Sequence, residues 1–268
     1  MNFAINYSTQ AALLFSQGRL RIDRFKCPDW PELIAEAGQY RPIAVHFNLN
    51  AGRGKLRGKN LESIAHIAEE TSTPFINLHL ELKKGDFPAI PIDSTRQADR
   101  EMFFRMALSD VEIAVRRFGD DKVIVENVPY RPNGKGLRLS VETETISRIV
   151  AETGCGFLLD IPHACISAHH LGLDPTEYIS RLPVHRLKEL HFTGVQDLGG
   201  WLQDHLEAQE KDWQMLDWVL KRIQEGAWPK PWLLALEYGG VGEKFSWRSS
   251  AQAIEEQGKR INTLIEAL

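Results

Sequence analysis

The strongest constraint on this chain is a rhythm. Short apolar runs alternate with longer amphipathic segments along its whole length. The runs are Phe3–Asn6, Leu20–Phe25, Ile43–Leu49, Phe75–Leu82, Val123–Val128, Phe157–Ile161, Leu187–Thr193 and Trp232–Tyr238. Helical segments fall between them. One near Thr9–Gln17 stops at Gly18, and one opened by Pro28-Asp29-Trp30-Pro31 closes at Gly38. Leu61, Ile64, Ala65 and Ala68 share a helical face, and a long helix from about Thr95 to Phe118 ends at Gly119. Ser140–Thr153, a stretch bearing Leu171 and Tyr178, Asp212–Gln224 and a last segment through Ile254, Ile261 and Leu264 complete the series. Strands that alternate with helices imply parallel pairing, because a parallel crossover needs a helix-length connection. Eight such units in 268 residues fit a closed (β/α)₈ TIM barrel, read as one domain over 1–268. A doubly wound sheet would announce itself with a Gly-rich first turn, and no such motif follows the first run.

Composition narrows the function. With 32 Lys+Arg against 36 Asp+Glu the net charge is −4, which argues against a nucleic-acid partner. No run approaches the roughly 18 apolar residues of a membrane span, and the first residues lack a leader pattern, so a cytoplasmic location is expected. Three cysteines without a CxxC support neither a zinc ribbon nor a redox dithiol. Nine histidines are the more informative count, because imidazole is both a metal ligand and an acid–base group.

Their placement is ordered. In a TIM barrel the chemistry sits at the C-terminal strand ends. His46 lies in the third run, His79 and Glu81 in the fourth, and Glu126-Asn127 end the fifth. Asp160 ends the sixth with His163 three residues on. His191 ends the seventh, with Asp204-His205 in the loop that follows, and Glu237 ends the eighth. Ionisable groups in apolar strands are costly unless paired or metal-bound. A mixed N/O donor set of this size suits two or three divalent ions, Zn²⁺, Mn²⁺ or Fe²⁺. A purely structural ion-pair network is the bland alternative. His66, His185 and His169 read as surface or structural residues, and so by default does His170. The basic loop Arg53, Lys55, Arg57 follows His46, where it reads either as a lid for an anionic substrate or as a solvated loop.

The order His46, His79, Glu126, Asp160-x-x-His163, His191, His205, Glu237 resembles the ligand order of the xylose-isomerase-like TIM-barrel superfamily, and of its endonuclease IV type in particular. The phrases VENVPY, GFLLDIPHACISAHHLG, ELHFTG, DHLEAQEKDWQMLDWVL and LEYGG resemble more closely the multinuclear non-heme iron-dependent oxidative enzymes (MNIO). That resemblance implies two or three bound metals, iron favoured, an O₂-dependent modification of a peptide or small molecule, and a partner protein that delivers the peptide. It implies His46, His79, Glu126, Asp160, His163, His191, Asp204, His205 and Glu237 as metal ligands. Glu126, Asp160 and Glu237 would be catalytic, and Asn127, Arg53 and Lys55 would bind substrate. One departure is notable: Gln203 stands where the family usually has the Asp of Asp-x-His, so Asp204 must reach in by a local shift or one subsite is weakened. A Zn- or Mn-dependent sugar isomerase or epimerase, or an endonuclease IV-like phosphoesterase, is the alternative enzyme. A barrel with vestigial ligands acting as a binding partner is the alternative of another class.

Overall fold

The computed structural model describes all 268 residues except the Ser246 side chain. The chain separates into two compact units: unit 1 holds residues 1–46, 70–73 and 188–268, and unit 2 holds 47–69 and 74–187.

Unit 1 begins with β1 (Asn2–Asn6), α1 (Thr9–Ser16), β2 (Arg24–Pro28), α2 (Pro31–Gly38) and β3 (Ile43–His46). Ser8 caps α1 by accepting the Ala11 N–H at 3.1 Å. Unit 2 contributes β4 (Asn50–Ala51), α3 (Leu61–Glu70), β5 (Ile76–Leu80), α4 (Gln97–Phe118), β6 (Val123–Glu126), α5 (Thr143–Thr153), β7 (Gly156–Asp160), α6 (Ile161–Leu171) and α7 (Pro175–Ser180). Helices α5 and α6 stop at Gly154 and Gly172, both left-handed, where a side chain would strain the turn. The chain returns to unit 1 through β8 (Leu187–Phe192), β9 (Gly194–Asp197), β10 (Leu202–Leu206), α8 (Glu210–Gln224), β11 (Leu233–Leu236), α9 (Glu243–Ser246) and α10 (Ala251–Glu266).

Within unit 1 the parallel ladder runs β3-β2-β1-β11-β8, and within unit 2 it runs β4-β5-β6-β7. Strand interiors are apolar on both faces, as parallel sheets require: Ile5, Phe25, Leu78, Val125, Leu158 and Leu234 are fully buried. The parallel α/β architecture expected from the alternation is present. Among the described residues no helix is long and apolar enough to cross a membrane.

Three local departures matter for function. The second strand lies at Arg24–Pro28 rather than 20–25, because β1 pairs Ala4 with Arg24 and Asn6 with Lys26. Leu20 and Ile22 are buried without joining a ladder. This shift places Lys26, at 4% exposure, inside the unit. The third run divides at His46, and the Asn77 carboxamide binds both the N–H and the C=O of Phe47, at 2.7 and 3.3 Å. The segment read as a loop after the seventh strand is an antiparallel hairpin, β9–β10, with a register shift between Gln203 and Leu206.

Candidate metal centre

In unit 2 the site follows from strand register. His79 on β5 pairs directly with Glu126 on β6, so both project from the same end of the ladder. His79 Nε2 lies 3.2 Å from Glu126 Oε2. Its Nδ1 is 3.2 Å from the Leu49 carbonyl, so Nδ1–H donates to the backbone and the ring is held with Nε2 toward Glu126. A metal-ligating imidazole is held in the same way by a partner on its other nitrogen. One strand on, Asp160 closes β7 and caps α6, its Oδ1 accepting the His163 N–H at 2.7 Å. His163 therefore stands in the first helical turn rather than in a loop. Its Nδ1 is 3.4 Å from Asp160 Oδ2, 3.7 Å from Glu126 Oε1 and 3.0 Å from the Asn127 carbonyl. Asn127 braces the strand ends: its carboxamide accepts the Asp160 N–H and donates to the Asp160 C=O, both at 2.9 Å. That explains a polar side chain of zero exposure beside a carboxylate at 1%.

Glu126, Asp160 and His163 each present a donor atom within 4.8 Å of the others. Two buried carboxylates so close repel each other, and a cation relieves that repulsion. The orientation of His79, the N/O chemistry and the spacing all fit a divalent ion at this cluster.

Unit 1 builds a second cluster. His191 on β8 is fully buried, and its Nε2 is 3.0 Å from Glu189 Oε1 two residues earlier on the same face. Nε2–H donates to Glu189, which turns Nδ1 the other way. Nδ1 faces Glu237 Oε1 at 3.4 Å and Lys26 Nζ at 3.5 Å. Lys26 also forms a buried ion pair with Glu237. Opposite unit charges about 4 Å apart attract by about 4 kcal/mol at an effective dielectric near 20. Burial alone would push the Glu237 carboxyl up, but His191, Lys26, His205 and His46 outweigh it and hold it well below the usual carboxylate range. The His46 ring lies 5.2 Å from that of His191, centroid to centroid.

His205 arrives through the hairpin bulge, with a left-handed φ of 57° that a non-glycine residue adopts at a cost. Its Nδ1 is 2.9 Å from the Glu237 carbonyl. The bulge is a local shift of the kind that re-aims side chains. It leaves Asp204 buried, with Gln203 Nε2 3.0 Å from its Oδ1. A cavity of about 360 Å³ opens onto Lys26, His46, His205 and Glu237, with Trp30, Leu33 and Phe245 among its apolar walls. Cys27 lines it too. Burial, and then the Glu36 charge, push that thiol up to about 12.

Other expected positions sort plainly. Arg53 Nε lies 2.6 Å from Asp86 Oδ2 and Lys55 Nζ 2.5 Å from Asp86 Oδ1. The Gly52 and Gly54 N–H groups both donate to the buried Asp110 carboxylate at 2.9 Å. The basic loop is therefore tied to its own unit at four points. Arg53, Lys55, Lys59 and Lys83 nonetheless line a cavity of about 250 Å³. His66, His169 and His185 are exposed and His170 is half-buried. Sequence reasoning missed Lys26 and Glu189. The signal was present in RFKCP, a lysine inside an apolar strand, but the strand was placed too early to enclose it.

Residues 29–234 match the model of the family described as RiPP precursor modification enzyme MbnB/TglH/ChrH. The chain belongs to that family. The MNIO resemblance of the sequence is thereby borne out. A UPF0276 protein of Chromobacterium violaceum is 25% identical over 211 residues, 75% of this chain and 72% of the relative. A UPF0276 protein of Acaryochloris marina is 28% identical over 137 residues, 50% of this chain and 43% of the relative, so the aligned part is less than half of that protein. Endonuclease IV from Thermus thermophilus matches over the full length of both chains, with a TM-score of 0.56 and 17% identity. This likeness carries the fold, which is TIM-barrel-like.

Proposed function

We propose that this chain is a metal-dependent oxidative enzyme of the MNIO type, of the (β/α)₈ TIM-barrel class, that modifies a peptide or a small molecule. The observation that carries the reading is the unit 2 cluster. His79, Glu126 and Asp160 stand at successive strand ends and His163 in the helical turn that follows, with the His79 ring held by the Leu49 carbonyl so that Nε2 faces Glu126. Iron is favoured and Zn or Mn is the alternative, since the donor set serves all three. Bound there, a redox metal would supply O₂ activation.

The chain's own residues have definable tasks. Glu126 and Asp160 supply the negative charge that retains the cation. Asn127 ties the ends of β6 and β7 so that the two carboxylates keep their separation. The apolar walls of the 360 Å³ cavity would bind the substrate body and exclude water. Arg53 and Lys55 would meet an anionic substrate only by sharing or releasing Asp86. A peptide substrate handed over by a second protein, in the cytoplasm, completes the reading.

Purification without oxygen, followed by metal analysis and O₂ uptake, tests it. Stoichiometric iron with O₂ consumption is expected. Zn or Mn alone with phosphoesterase or isomerase activity would move the chain to the hydrolytic or isomerising alternative. No stoichiometric metal under any supplementation would overturn both.

A further inference from the structure

We propose that the Lys26 ammonium takes the place of a metal ion between His191 and Glu237, so that this position is filled by the chain itself. The inference rests on the metal-dependent reading above and sets which of the expected ligands are engaged. Three observations point the same way. First, Glu189 holds His191 Nε2 at 3.0 Å, the carboxylate–histidine arrangement that aims the other nitrogen at a cation. Second, what that nitrogen faces is Lys26 Nζ, at 3.5 Å. Third, the same ammonium is ion-paired with Glu237, and the exposures of the two side chains are 4% and 8%. Glu237 Oε1 and His191 Nδ1, the two donors that would converge on a metal, converge on a lysine.

The lysine is not a chance neighbour. It sits mid-strand in β2, with Asn6 and Ala44 as register partners, so backbone pairing on both sides fixes its Cα. An ammonium and a carboxylate removed from water together are tolerable, whereas either alone is not. A divalent ion at Glu237 would have to share this space with a fixed positive charge, and the two repel. Removing the charge while keeping the stem would reverse the balance, leaving a buried carboxylate and an oriented imidazole with a cation-sized gap. Lys26 thus fixes how many metals the protein takes, and it lines the cavity that would receive the substrate.

The test is metal content per folded chain, measured on protein purified without oxygen after supplementation with iron, zinc or manganese. Lys26→Met is expected to gain about one equivalent over the wild type, and adding Glu237→Gln to it should abolish the gain. Glu237→Gln alone, which keeps an acceptor for the ammonium, is expected to leave wild-type metal content unchanged. This second variant decides the matter if Lys26→Met does not fold. The proposal is overturned if folded Lys26→Met holds no more metal than the wild type, or if Glu237→Gln alone loses an equivalent. Metal-free wild-type protein would instead overturn the metal-dependent reading, so the two failures are distinguishable.

Discussion

The two units bury carboxylates in different company. In unit 2, Glu126 and Asp160 come from neighbouring strands and meet histidines, both held through Nδ1 by backbone carbonyls. In unit 1, Glu237 meets histidines as well, but a lysine from β2 is ion-paired with it. The residue types at the strand ends are nearly the same. One residue, from a strand two places along the ladder from β11, sets the two ends apart. A list of His, Asp and Glu positions is therefore not yet a ligand list.

The contrast can be broken most severely at Glu126. Glu126→Ala should weaken metal retention by about 100-fold or more, beyond the upper end of what losing a supporting partner costs. Metal analysis after dialysis checks it, and unchanged content would erase the difference between the units. Asp160 separates two roles. Asp160→Ala should lose metal and also about 1 kcal/mol of stability, because α6 loses its N-cap. Asp160→Asn should lose metal while keeping most of that stability, as denaturant unfolding of the metal-free forms would show.

A smaller effect tests how rigidly the unit 2 cluster is held. Asp110 fixes Gly52 and Gly54 just beyond β4, and β4 pairs with β5 at His79. Asp110→Ala should cost about 1–3 kcal/mol, since two backbone donors lose a buried acceptor. Hydrogen exchange at Gly52 and Gly54 should accelerate, and metal affinity should fall modestly as the Leu49 carbonyl that orients His79 loosens.

The smallest effect is expected at Asp86. Hydrogen bonds from Arg53 and then Lys55 lower its carboxyl to about 2. Because the folded value is depressed, the pair's contribution is complete above about pH 3.9 and is lost as pH falls through about 2. At a partly exposed position it is worth under about 1 kcal/mol. An NMR titration of Asp86 checks it, and a midpoint near the ordinary aspartate value would show the basic loop to be free.

Much of this was legible in the sequence because the physics is local. Period and β-branching mark β5 and β6, and glycine marks the ends of α5 and α6. His79, Glu126 and Asp160 stand out because charge in an apolar strand must be compensated. What stayed hidden was relational. The register of β2 against β1, not its hydropathy, brings Lys26 inward. The β9–β10 hairpin follows from a tight approach at Gly194, where a Cβ would come within 2.2 Å of the Glu207 carbonyl oxygen, and short polar strands carry no periodic signal. The substitution of Gln203 for the expected Asp was visible, but the bulge that buries Asp204 and turns His205 was not.

The central claim is that a metal is held at the Glu126 cluster while Lys26 holds the position between His191 and Glu237. Anomalous diffraction at the iron edge, from crystals of wild-type protein grown without oxygen, tests it most directly. The expected map has a peak among His79, Glu126, Asp160 and His163, with the Lys26 ammonium between His191 Nδ1 and Glu237. A peak at Glu237 with Lys26 displaced, or no peak at Glu126 in iron-loaded crystals, would contradict it.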